Sequence, residues 1–283
     1  MKLFIIGDSW AVVPNKEYLD NSDTLPDTYQ FLLYEKLQAE CLQVHAINGT
    51  GIDWAVSKYY EISDQIAEND CVLWIVTSPT RRWLLKDNPE FSNVWTDYPS
   101  SNIFPQQRKA IEMYRKYLST EHVDETFLMS SSAAISYDVM TKGASIIQCP
   151  GFLTYSSDPD LMTCSKLCNP HVSVYGSMES IGAYNFSNEH DHVKEHDLWI
   201  AKAAQSQIDI VKKTGIDNRF NHMSWKNHEE FAERVYQSFV NKKDLDLYNG
   251  FIMEPLDTTD SWKSYNSEYL KSYRDHKFGF VFR

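Results

Sequence analysis

The chain has 283 residues, of which 42% are hydrophobic, 14% aromatic and 23% charged, the profile of a folded globular protein with length enough to bury a full core. Its formal net charge of -12, with no Lys/Arg-rich block, counts against a nucleic-acid binder, which must neutralise a polyanion. No apolar run reaches membrane-spanning length, and Met1 and Lys2 lead straight into a short strand-like stretch rather than a signal peptide. The expectation is a protein that is cytoplasmic when synthesised, and the odd count of five cysteines predicts no disulfide framework.

Strand and helix signals alternate over the first 80 residues. Leu3 to Ile6 is a short apolar run ended by Gly7, Thr28 to Gln38 carries apolar residues at helical spacing, and Leu42 to Ile47 is strand-like and stops at Asn48 and Gly49. Cys71 to Val76 is continuously apolar and ends at Ser78 and Pro79. Cys41 and Cys71, in apolar surroundings, are expected in the core. Runs without polar alternation are what a parallel sheet covered on both faces requires. Further on, Gln106 to Leu118 and Val123 to Thr141 read as helices, and Ala144 to Cys149 as another buried strand stopped by Pro150 and Gly151. Between 152 and 200 the pattern weakens, which predicts an insertion over the sheet rather than new core. Ser224 to Asn241 reads as the last helix, capped by Ser224 and with Phe231, Val235 and Phe239 on one face. The organisation expected is one α/β domain over residues 1–241, followed by an aromatic extension over 242–283 that packs on the domain or on a neighbour.

Chemistry concentrates at Gly7-Asp8-Ser9. A serine just past the carboxyl end of a strand lies where open α/β sheets bind ligands. Its hydroxyl becomes a nucleophile only with a base beside it. The candidate base is His222, in Asn221-His222-Met223-Ser224 ahead of the last helix.

Gly-Asp-Ser near the start and a histidine before the final helix together resemble the SGNH (GDSL-type) hydrolases, over roughly residues 3 to 240. The resemblance implies a flavodoxin-like, three-layer α/β/α fold with a parallel sheet, a serine esterase activity, no cofactor, and four motif blocks. Gly7-Asp8-Ser9 matches the first block, with Trp10 where leucine is usual. Asn48-Gly49-Thr50-Gly51 is similar to the second, whose glycine N–H binds the oxyanion; Gly51 is the preferred match and Gly49 the alternative. The third block is normally Gly-x-Asn-Asp, but Thr77-Ser78-Pro79-Thr80-Arg81 stands there. A hydroxyl of Thr77 or Ser78 would have to replace the asparagine donor, whose loss typically costs about 2.7–4 kcal/mol of transition-state stabilisation. Arg81 would hold an anionic substrate group or pair with a carboxylate. In the last block, usually Asp-x-x-His, Arg219 holds the acid's place, leaving Asp217 or a backbone carbonyl to orient His222. The run His222-Met223-Ser224 followed by Asn227, His228 and Ala232 follows the family's His-Pro-Ser-x-x-Gly-His-x-x-x-Ala pattern, and together with the altered third block it resembles members found in tailed bacteriophages. The substrate class this implies is a small acyl ester or an O-acetylated glycan.

Other features read more simply. His190, Asp191, His192, His196 and Asp197 have metal-like spacing, but their charged neighbours make a solvated helix face the better reading. Cys164 and Cys168 lack a second ligand pair. Trp262, Tyr265, Tyr269 and Tyr273 fit packing against the domain better than stacking on sugars. A rival reading from another class is a virion structural or interaction protein that keeps the hydrolase fold without its activity, with partners docked through the extension. The departures in the third and fourth blocks favour it.

Overall fold

The computed structural model describes residues 1–12, 28–47, 49–78, 81–83, 105–118, 121–151, 168–178, 225–247 and 249–251. Among these residues four parallel strands form the central sheet: β1 (Lys2–Gly7), β2 (Cys41–Ala46), β3 (Cys71–Val76) and β4 (Ser145–Pro150), in the order β2-β1-β3-β4. Leu3 faces Leu42 on one side and Cys71 on the other, and Cys71 faces Ser145. Asp70 sets this register at the start of β3. One carboxylate oxygen accepts the Lys2 N–H at 2.7 Å and the other the Ala67 N–H at 3.0 Å, tying the starts of β1 and β3 together.

Because side chains alternate along a strand, each strand feeds two cores. Leu3, Ile5, Leu73, Ile75, Ile147 and Cys149 point to one face, covered by α1 (Tyr29–Leu37) and α5 (Trp225–Asn241) through Phe31, Leu33, Phe231, Val235 and Phe239. Phe4, Ile6, Val72, Trp74, Val76 and Ile146 point to the other face, covered by α2 (Ile52–Ile62) and α4 (Glu121–Thr141). A further helix, α3 (Pro105–Tyr117), precedes α4 and adds a small cluster of Ile111 and Tyr114. The result is a three-layer α/β/α fold with a parallel sheet, as the uninterrupted apolar runs predict. The first four strands have the order of flavodoxin-like sheets.

Three features depart from the sequence reading. The helix α2 was not anticipated, although Ile52, Ala55, Tyr59 and Ile62 line its buried side. Cys41 is only partly buried, whereas Cys71 lies in the core as expected. Within the stretch expected to add no core, Val172, Val174 and Met178 are buried in the main cluster. There β5 (Val174–Tyr175) pairs in parallel with β6 (Leu245–Asp246), and the Asn169 carboxamide binds the Gln148 N–H at 2.6 Å and the Gln148 carbonyl at 2.8 Å. That side chain occupies backbone groups of β4, the last strand of the sheet among the described residues, on the side away from β3. The start of the extension also joins the main core through Leu245, Leu247 and Phe251.

Among the described residues, no helix is long and apolar enough to cross a membrane.

Candidate active site

In a sheet ordered β2-β1-β3-β4, the connection after β1 runs to one side and the connection after β2 crosses to the other, so the switch point lies between the carboxyl ends of β1 and β3. Ser9 follows β1, and Thr77, Ser78 and Arg81 follow β3. Gly7 permits the two strand ends to close up, since a Cβ there would lie 2.9 Å from the Ile75 carbonyl oxygen and from the Ala11 Cβ.

The turn itself is organised by Asp8, whose side chain is wholly buried. Its carbonyl accepts the Ala11 N–H at 2.9 Å and its Oδ1 the Trp10 N–H at 3.1 Å, so the chain folds over Ser9 in a tight loop. Its Oδ2 accepts the Thr77 hydroxyl at 2.8 Å and Arg81 Nη1 at 3.0 Å. A buried carboxylate is tolerable only when paired and hydrogen-bonded, and Asp8 has both. The ion pair therefore stitches the turn after β1 to the loop after β3, across the switch point.

Of the two readings open for Arg81, the structure displays the pairing with a carboxylate. The Thr77 hydroxyl has one proton, which goes to Asp8, so Thr77 holds the turn and has no hydroxyl hydrogen to offer an oxyanion. Ser78 is partly buried in the same loop. Gly51 sits at the N-cap of α2, directly against this loop: a Cβ there would lie 2.7 Å from the Arg81 carbonyl oxygen and 2.8 Å from the Arg82 Cα. Ile52 N–H donates to that same carbonyl at 3.0 Å. The second and third blocks are thus in backbone contact. Gly49 is buried, with φ 70, a left-handed conformation that favours glycine.

Behind the loop lies a cluster that no spacing in the sequence announced. Arg82 forks onto Asp53 of α2, with Nη2 at 2.7 Å and Nε at 2.9 Å, while Nη1 donates to Asp124 of α4 at 2.8 Å and to the Tyr114 hydroxyl of α3 at 2.7 Å. Asp53 Oδ2 also accepts the Trp83 N–H at 2.9 Å. Burial opposes the charge on Arg82, but the Asp53 and Asp124 carboxylates outweigh it and hold the guanidinium pKa above its ordinary value. The only signal in the sequence was an acid in the first turn of α2, where it also faces the helix dipole favourably.

On the opposite side of the Ser9 turn, α1 and α5 meet at Tyr29. Its backbone N–H, one of the helix-start donors that α1 cannot satisfy internally, donates to His228 Nδ1 of α5 at 3.2 Å. The two rings stack with centroids 5.8 Å apart. Burial pushes the His228 pKa down to about 4, and a ring nitrogen accepting an N–H is by geometry unprotonated. The Tyr29 hydroxyl donates to the Trp10 carbonyl at 3.0 Å. Hence the first turns of α5 lie beside the carboxyl end of β1.

His222 and Asp217 lie outside the described residues, as do Ser224, Cys164, the His190 to Asp197 cluster and the tail aromatics. Cys168 is buried, and its carbonyl accepts the Ser136 hydroxyl. Among the described residues, no group of His, Cys, Asp and Glu is gathered as a metal site would need.

Neither a family model nor a curated protein matches the chain. Among solved structures it is similar to the protein YXIM_BACsu from Bacillus subtilis, at 12% identity and a TM-score of 0.37; the alignment covers 85% of this chain and 56% of that one.

Proposed function

We propose that the chain is a serine ester hydrolase of SGNH type, with Ser9 as nucleophile and His222 as base. The observation that carries this reading is the position of Ser9 at the switch point, in a turn tied through Asp8 to the loop after β3. The first turns of α5 beside that turn support it further, because His222 precedes Trp225 by three positions. In the reaction, Ser9 Oγ attacks the acyl carbonyl carbon as His222 takes its proton. The Ser9 and Gly51 N–H groups stabilise the oxyanion. Collapse of the tetrahedral intermediate expels the alcohol, protonated by His222, and leaves an acyl-serine. Water, giving its proton to His222, attacks that ester, releasing the acid and restoring Ser9. Asp217 or a backbone carbonyl orients the imidazole. A small acyl ester or O-acetylated glycan is the substrate class that the motif blocks favour, and the reaction uses no cofactor.

A second reading, a structural or docking protein of a virion that retains the fold without turnover, is favoured by one observation. Thr77 and Arg81 are engaged with Asp8, leaving Ser78 as the remaining side-chain donor proposed in the third block. Labelling with a fluorophosphonate probe, beside hydrolysis of a short-chain aryl ester, separates the two. Native protein labels and turns over, and Ser9→Ala and His222→Ala do neither. Absence of labelling in correctly folded native protein overturns the hydrolase and leaves the docking role.

A further inference from the structure

The chain leaving Ser9 is gripped by side chains that belong to none of the motif blocks. Three successive carbonyls, of Trp10, Ala11 and Val12, are engaged from the first turn of α1. The Tyr29 hydroxyl donates to Trp10 O at 3.0 Å, and Gln30 Nε2 donates to Ala11 O at 3.1 Å and approaches Val12 O at 3.5 Å. Tyr29 is completely buried and Gln30 is 1% exposed, so these bonds form where water does not compete. Tyr29 also reaches α5 at three points: its N–H on His228 Nδ1, its ring stacked on His228, and its ring edge-on to Phe231 with centroids 4.9 Å apart.

We propose that Tyr29 and Gln30 are positioning residues that fix the Ser9 turn and lock it to α5. The proposal rests on the ester-hydrolase reading for the role of Ser9 as nucleophile. Its physical basis is the distance sensitivity of nucleophilic attack. Ser9 Oγ must meet both a base and an acyl carbon in a narrow range of geometry, and small displacements of either are costly in rate. Asp8 fixes the turn from the β3 side; Tyr29 and Gln30 fix it from the α1 side, and Tyr29 carries the link on to α5.

The test compares native protein with Tyr29→Phe, which keeps the ring, its two aromatic contacts and the backbone bond to His228, and removes only the hydroxyl on Trp10 O. Gln30→Met is the second variant, should Tyr29→Phe not fold. Two readouts are taken. In saturation labelling with the fluorophosphonate probe, the maximal rate constant falls on the order of tenfold while the half-saturating probe concentration stays unchanged, as expected for misorientation rather than lost binding. A variant that merely populated less folded protein would lower the labelled fraction instead. In amide hydrogen exchange, the segment 8–12 exchanges faster in the variant while β3 does not. Unchanged exchange in segment 8–12 overturns the proposal, and so does faster exchange with an unchanged maximal labelling rate. Native protein that fails to label overturns the hydrolase reading instead, and exchange alone then decides whether α1 braces the turn.

Discussion

Replacing Gly51 by alanine tests whether the second motif block is packed as tightly as the geometry implies. At Gly51 φ is -86 and ψ 167, an extended conformation open to any residue, so the substitution adds no backbone strain and reads space alone. The added Cβ would sit 2.7 Å from the Arg81 carbonyl oxygen. Restoring an ordinary contact of 3.4 Å requires a shift of about 0.7 Å, the difference of those two distances. That backbone cannot yield cheaply, because Ile52 N–H holds the same carbonyl and Asp53 holds both Arg82 and the Trp83 N–H. Overpacking costs about 1–3 kcal/mol, and a lost backbone hydrogen bond adds about 1 kcal/mol. The sum, about 2–4 kcal/mol, lowers Tm by roughly 3–7 °C for a chain of this size. Scanning calorimetry reads the shift, and fluorophosphonate labelling reads the accompanying displacement of the Gly51 N–H. A melt within 1 °C of native, with labelling undiminished, refutes the close approach of the two blocks.

Two further outcomes follow from the buried polar groups. Arg82→Lys replaces a planar fork with a single ammonium that cannot serve Asp53, Asp124 and Tyr114 together; the urea midpoint falls by the equivalent of about 1–3 kcal/mol, and an unchanged midpoint refutes the clamp. His228, with its pKa lowered from 6.5 to about 4 by burial, takes up a proton more readily unfolded than folded. Its contribution is therefore fully present above pH 6.5 and is lost as pH falls from there toward 4. Urea midpoints measured across that interval decline more steeply for native protein than for His228→Gln, whose amide oxygen can still accept the Tyr29 N–H. Parallel declines refute the assignment.

The strands were legible because burial on both faces writes itself as unbroken apolar runs: Cys71 to Val76 coincides with β3, and the run at Leu3 to Ile6 needed only one residue at each end to become β1. The helix α5 was legible from Phe231, Val235 and Phe239 recurring every four residues. By contrast, α2 starts at Gly51 with no side-chain cap, so its usual start signal is missing. The short strand at Val174 has two residues, too few to display a period. Ser9 stands out in the sequence because a turn serine follows the first strand, whereas the bond from the Thr77 hydroxyl to Asp8 leaves no local mark because its acceptor lies 69 positions away.

The amino-acid order alone thus determined the α/β class, the strands of the sheet and the prominence of Ser9, since each depends on hydrophobic periodicity or turn chemistry within a few neighbouring residues. Only the tertiary structure decided that Asp8 unites Thr77 with Arg81, that Arg82 clamps α2, α3 and α4, and that Tyr29 joins the Ser9 turn to His228. Those bonds span 69, 73 and 199 positions for Asp8–Thr77, Asp8–Arg81 and Tyr29–His228. Their partners are chosen by which helix the sheet's crossovers bring alongside, and a polar side chain carries no local mark of the distant group that will satisfy it once both are buried.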